Sequence, residues 1–223
     1  MCGRYTLRRF DASDYDAAPR FEEFDEKQIV PRFNIAPSQL CPIIRHDKSD
    51  QPVASLVKWG LIPSWSKSLP KVQPINARAE TIQSSGMFKT AFARRRCLVP
   101  VDGFYEWKKM DDGKQPYFIH LPSDEPFAFA GLWERWSDST DSKPIDTFTI
   151  VTTTPNDVMS KLHDRMPVIL HRDDFSKWLN RETPPAEAFD LLIPFSDPLD
   201  AYPVSRSVNS PKNDSPDNII PQS

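Results

Sequence analysis

Twenty-three prolines and only six glycines in 223 residues set the grain of this chain. Proline lacks an amide hydrogen and has a fixed φ, so each one tends to end or edge a strand and to break a helix. They stand in "IAPSQ", "LIPSW", "LVPVDG", "TTTPND" and "RMPVIL", between short apolar or alternating runs. Those runs read as strands: "LCPIIRH", "ASLVKWGLI", "RCLVPV", "GFYEWKK", "PYFIHL", "FAFAGLW", "TFTIVTT" and "MPVILH". Asp112-Gly113, inside "WKKMDDGKQPYF", marks a hairpin. Helical patterns are fewer, namely "ASDYDAAPRF", "GMFKTAFARR", "NDVMSKL", "RDDFSKWLN" and "PAEAFDLL". Many closely spaced strands with scattered helices predict an α+β fold, a curved, largely antiparallel and barrel-like sheet with short peripheral helices. Residues 137–146 read as an exposed loop, and the last twenty or so residues read by composition as a flexible tail.

The length suits one domain with a substantial core. Apolar and charged fractions of 39% and 26% are those of an ordinary soluble protein. No apolar run has the length of a membrane span and no secretory signal heads the chain. Three cysteines are too few and uneven for a disulfide framework and suit a reducing compartment, which implies a cytoplasmic protein. Net charge is −3, yet residues 1–100 carry 16 Lys and Arg against 10 Asp and Glu, while residues 101–223 carry 12 against 21. That asymmetry is compatible with one basic face on an acidic protein.

Four clusters carry side chains capable of chemistry. "MCGRY" places Cys2 behind the initiator, so that loss of Met1 would leave a thiol and an α-amine on one residue, both titrating near neutrality. "INARAET" crowds Asn76, Arg78 and Glu80; "DGFYEW" sets Glu106 between aromatics; "LHDRMPVIL" holds His163, Asp164 and Arg165. Each has a structural alternative. Asn76 could close a turn, Arg78–Glu80 could be a local ion pair, Glu106 could face solvent from a half-buried strand, and His163 could cap a helix. Together they supply a nucleophile, a general acid or base, a second proton carrier and a polar holder. Arginines near these clusters suit phosphate, and Trp59, Trp65, Phe88, Tyr105 and Trp107 offer faces for unstacked bases.

The ordered set "MCGRY", "FNIAPSQ", "WGLIPSW", "INARAET", "RRCLVPVDGFYEW", "HDRMPVIL" and "PVSRSVNSPKND" resembles the SRAP family, the SOS-response-associated, abasic-site-processing proteins, from residue 2 to about residue 221. The resemblance implies a single SRAP domain whose tail is ordered. It implies a partner, single-stranded DNA with abasic sites or single/double-strand junctions, and capture of the lesion as a thiazolidine on Cys2 after Met1 is lost. Asn76, Glu106 and His163 would be catalytic beside Cys2. Arg78 and Arg165, with Arg4 as a third, would hold phosphates, and Trp107, Met87 and Pro37 would form a wedge. Some relatives carry a basic residue where this chain has Gly86, which removes one phosphate contact from the implied set. A monomer without cofactor, associated with the nucleoid and with replication-fork proteins, fits the family, and a lyase side activity is chemically available.

Other readings stay open at this level. A glutamine amidotransferase also begins "MCG", but this chain has no Asn-Gly dipeptide to supply an oxyanion hole. A cysteine peptidase using Cys2 and His163, with Met1 removed by its own site, and a passive single-strand binder remain alternatives. A metal site is the least supported, because no Cys or His ligand spacing is present and Cys41 and Cys97 sit in apolar runs.

Overall fold

A computed structural model describes residues 2–15, 20–22, 24, 28–138 and 143–222. Its strands are β1 (Tyr5–Leu7), β2 (Arg20–Glu22), β3 (Arg32–Ile35), β4 (Leu40–His46), β5 (Pro52–Trp59), β6 (Asn76–Arg78) and β7 (Arg96–Val101). There follow β8 (Gly103–Met110), β9 (Gly113–His120), β10 (Phe127–Trp136), β11 (Ile145–Thr153), β12 (Met166–Pro167), β13 (Ile169–Leu170) and β14 (Asp200–Pro203). The α-helices α1 (Lys89–Arg94), α2 (Phe175–Leu179) and α3 (Pro185–Phe189) are short and peripheral. None is long and apolar enough to cross a membrane.

The fold is α+β with a barrel-like core. Antiparallel ladders run β11–β10–β7–β4–β5, and a parallel pairing of β5 with β11 (Lys58↔Thr147, Trp59↔Phe148) closes the ring. Closure removes the free edges that would otherwise invite aggregation. A second sheet, in the order β14–β9–β8–β1–β3, leans on this barrel. Asp102 stands at the joint where β7 passes into β8. It is buried and accepts bonds from Thr6 Oγ1 (2.5 Å), from Arg8 Nε (3.0 Å) and from the Arg8 amide. Three groups near the N-terminus are thus tied to the bend between the sheets.

Most of the expected strands form with nearly the expected bounds, and the hairpin turns at Asp111-Asp112. Gly113 there takes φ +127°, a left-handed value that glycine adopts without steric cost. Four expectations change. The stretch 12–21 was expected to be helical; it holds a single 3-10 turn (Ala12–Tyr15) and then β2, with residues 16–19 outside those described. Tyr15, at the end of that turn, stacks between Phe10 and Phe175. The stretch "NDVMSKL" was expected to be helical and holds the 3-10 turn Met159–Lys161 instead. The loop read over 137–146 ends earlier: Ile145 and Asp146 begin β11, and Asp146 pairs with Arg135 (2.7 Å) and Arg45 (2.8 Å); residues 139–142 lie outside those described. The tail that composition read as flexible is built in: Asn34 Nδ2 donates to the carbonyls of Val208, Ser210 and Asn213, and Tyr202 Oη donates to Ile219 O.

Gly103 tests the joint. A Cβ at this position would stand 2.2 Å from Phe118 Cζ, and Phe118 is itself packed on Tyr105 and Tyr202. Gly103→Ala is therefore expected to destabilise the protein by about 2 kcal/mol, in the range for overpacking a filled core. Urea unfolding should show a lower midpoint with an unchanged slope.

Candidate active site

β1 runs antiparallel to β8 with Tyr5 opposite Phe104 and Thr6 opposite Gly103. The Tyr105 amide donates to Arg4 O at 3.0 Å, extending the ladder toward Cys2. Side chains alternate along β8. Tyr105 and Trp107 join a small cluster with Phe118, Val204 and Val208, whereas Phe104 belongs to the main barrel core. Glu106 shares the face of Phe104 and is 1% exposed. The solvent-facing alternative for Glu106 is thereby overturned. Burial pushes its carboxyl above the usual range.

Cys2 is fully buried among the core residues, its Sγ 3.9 Å from Arg4 O. Burial first, and then the negative charge of Glu106, push its thiol well above the ordinary range. The group is a thiol at neutral pH. Cys41 and Cys97 are likewise buried and free, with burial pushing the Cys41 thiol up to about 12, which fits the reading of both as core residues.

A cleft of about 410 Å³ is lined by Arg4, Glu106, Trp107, Lys114, His163 and Asn209, with the fully buried Cys2 not on its lining. Four of the expected residues meet here. Lys114 and Asn209 were missed. Lys114 could have been found from the hairpin register, which sets it opposite Lys109 on the face that carries Trp107. Asn209 has no local signal, since it reaches the cleft through tertiary packing of the C-terminal segment. Its Oδ1 accepts from Trp107 Nε1 at 2.7 Å. Arg4 braces the same wall, donating to Asn34 Oδ1 (3.0 Å), Val208 O (2.7 Å) and Asn209 O (3.2 Å).

Three of the remaining expected residues, Asn76, Arg78 and Arg165, gather on and around β6. β6 lies parallel to β11, with Asn76 opposite Ile150 and Arg78 opposite Thr152. Asn76 and Arg78 share a face, since Ala77 between them turns into the core. Both polar atoms of the Asn76 amide are buried and without a hydrogen-bond partner, a costly arrangement that a ligand oxygen would relieve. Glu80 pairs with Arg165, whose Nη2 donates to Glu80 Oε2 at 2.9 Å and to Thr152 O at 2.7 Å. That guanidinium holds Glu80 below the usual carboxylate range. The expected Arg78–Glu80 ion pair is thus replaced by a partner 85 residues away in sequence, and Arg78 projects exposed. His163 follows the 3-10 turn Met159–Lys161, and its Nδ1 lies 2.8 Å from Asp164 Oδ1 and 3.1 Å from the Arg165 amide nitrogen. Pro37 and Met87 are half-buried and do not line the cleft. Among the described residues no three His, Cys, Asp or Glu side chains converge as metal ligands would.

Comparison with known proteins places this geometry. The model of the family described as SOS response associated peptidase (SRAP) matches residues 1–211. A Bacillus subtilis protein named abasic site processing protein YoqW is 43% identical over 230 residues, covering 98% of this chain and 99% of its own. The Gallus gallus abasic site processing protein HMCES is 34% identical, covering 88% of this chain and 68% of its own. A crystal structure of a protein from Bacteroides thetaiotaomicron superposes with a TM-score of 0.88 at 28% identity, covering both chains in full. On the sequence match and the shared fold together, the chain belongs to the SRAP family.

Proposed function

We propose that this protein captures abasic sites in single-stranded DNA as a covalent adduct on Cys2, exposed as the N-terminus by loss of Met1, and so shields the lesion. The observation that carries this reading is the placement of the buried Cys2 within the field of Glu106, which itself lines a cleft with His163 and Trp107. The names of the relatives supply the substrate.

The chemistry follows from the protonation states. The Cys2 amine attacks the C1′ aldehyde of the ring-opened deoxyribose, and the resulting carbinolamine loses water to give a Schiff base. A buried carboxyl with a raised pKa can give the departing hydroxyl its proton. The thiol then adds across the C=N bond: sulfur bonds to C1′, nitrogen gains a hydrogen, and the thiol proton returns through Glu106. The product is a five-membered thiazolidine, and the net change is the loss of one water. Because amine and thiol belong to one residue, ring closure is intramolecular. Asn76 would bond the opened sugar through its unpartnered amide, and His163 would carry protons at the other side of the cleft. The exposed Arg78 is the readiest phosphate ligand. Arg165 would have to exchange its bond to Glu80 for a phosphate, and Arg4 acts chiefly as a brace. Trp107, with Pro37 and Met87, would separate the bases beside the lesion. An imine also acidifies C2′, so strand cleavage by β-elimination competes, and ring closure suppresses it. A peptidase mechanism needs a thiolate, which burial and Glu106 both oppose at Cys2.

Two experiments test the assignment. Intact mass after incubation with a single-stranded abasic oligonucleotide should show protein lacking Met1, plus oligonucleotide, less one water. Cys2→Ala and Cys2→Ser, which keep the α-amine but lack the thiol, should each show an adduct only when borohydride reduces the imine. An adduct in Cys2→Ala that survives denaturation without borohydride, or retention of Met1 on the crosslinked species, would overturn the reading. Glu106→Gln should slow adduct formation by about 100-fold, the lower end for loss of a general acid. In the wild type the rate should fall as pH rises through the raised Glu106 pKa, above the usual carboxylate range. That limb should be missing from the profile of Glu106→Gln.

A further inference from the structure

Five aromatic side chains offered faces for unstacked bases, and the fold sorts them. Trp59 and Tyr105 are fully buried, Phe88 and Trp107 are half-buried, and Trp65 is 63% exposed. Trp65 stands on residues 60–75, a loop that leaves β5 and returns directly into β6. The loop is anchored at its base. Gly60 N donates to Phe148 O (2.9 Å), Leu61 N to Pro74 O (3.0 Å) and Ile62 N to Thr147 Oγ1 (2.9 Å). Beside Trp65 itself, Trp136 Nε1 donates to Ser66 O at 2.6 Å. The indole is therefore held outward on a braced backbone, with Leu69 and Val72 also exposed, at 54% and 78%.

The charge of this region is one-sided. Residues 51–79 contain no Asp or Glu, but they contain Lys58, Lys67, Lys71 and Arg78, in a chain of net charge −3. Lys67, Lys71 and Arg78 are all exposed. A purely apolar partner would not call for cations interleaved with the apolar side chains. A flexible polyanion carrying planar bases would, because stacking and phosphate neutralisation are the two interactions that single strands offer without regard to sequence. The loop is also continuous with the surface assigned to the lesion. Its C-terminal end is followed at once by Asn76 and Arg78, and at its start Ser38 N donates to Trp59 O at 2.8 Å, which sets Pro37 beside the root.

We infer that residues 60–75 form an accessory single-strand platform, in which Trp65 stacks a base of the DNA flanking the lesion and Lys67 and Lys71 hold its phosphates. The inference rests on the DNA reading above, but its test needs no lesion. Binding would be measured by fluorescence anisotropy with undamaged single-stranded DNA, using a long oligonucleotide and a short one that reaches only the cleft. Trp65→Ala should weaken binding of the long strand by about tenfold, in the range for losing one stacked base, and leave the short one unchanged. Trp65→Phe should retain most of the affinity. Lys67→Gln with Lys71→Gln should reduce the salt slope of the long strand by about 1.4, at ~0.7 per lost phosphate contact. Circular dichroism would confirm that each variant is folded. Equal affinity of wild type and Trp65→Ala for the long strand would overturn the inference and leave the loop to a protein partner. If the wild type forms no adduct with an abasic strand, the Cys2 reading falls, while the length-dependent loss in Trp65→Ala still decides this one.

Discussion

Cys2 lies at a chain end and yet is fully buried, and the pairing of β1 makes that combination possible. Chain termini ordinarily fray. Here a three-residue strand sits in the interior of a sheet, laddered to β8 on one edge and to β3 on the other. Asp102 adds bonds to Thr6 and Arg8 just beyond it. The register of that pairing decides the chemistry. A slip of one residue along β8 would turn Glu106 to the face of Trp107 and bring Tyr105 toward Cys2. On the proposed mechanism, chemistry at Cys2 requires that β1 be well held.

The two ends of the chain meet at the cleft. Arg4 and Asn34 take up backbone carbonyls of the segment around Val208, and Asn209 then fixes the Trp107 indole. A second arginine, at the start of β7, works in the same manner. Arg96 donates to Phe92 O (2.8 Å) near the end of α1 and to Trp178 O (2.7 Å) in α2. Both are mostly buried cations that meet carbonyl oxygens in place of carboxylates, which satisfies carbonyl groups left over where regular structure ends. In a protein with so many prolines and such short helices, those carbonyls are numerous.

The strands were legible because apolar alternation and proline boundaries are local signals. "LCPIIRH" and "RCLVPV" coincide with β4 and β7 to the residue. Where local pattern and tertiary packing disagreed, packing prevailed. "ASDYDAAPRF" carries a helical composition, but its described residues form a 3-10 turn, with Tyr15 stacked on Phe10 and Phe175, and then a strand. The very short strands β1, β3, β6 and β14 have too few residues to show a period, and three of them carry or border the site. The residue types of the site could be read, but their environment could not. Nothing in "YEW" tells which face of the strand enters the core. No spacing reveals that Glu80 pairs with Arg165 while Arg78 is left exposed.

The electrostatic cost at the site has a chemical rationale. A thiolate at Cys2 would be the stronger nucleophile, but it would also be a target for oxidants and for any passing electrophile. Burial together with the field of Glu106 keeps sulfur protonated and unreactive toward molecules in solution. On the proposed mechanism that protection costs little rate. Sulfur reacts only after the amine has attached C1′ to the same residue, when intramolecularity replaces intrinsic nucleophilicity. Having given its own proton to the departing hydroxyl, Glu106 is then the carboxylate placed to accept the proton of sulfur. Selectivity for an aldehyde-bearing sugar then follows from the order of events, because only a carbonyl that first condenses with the amine ever meets the thiol.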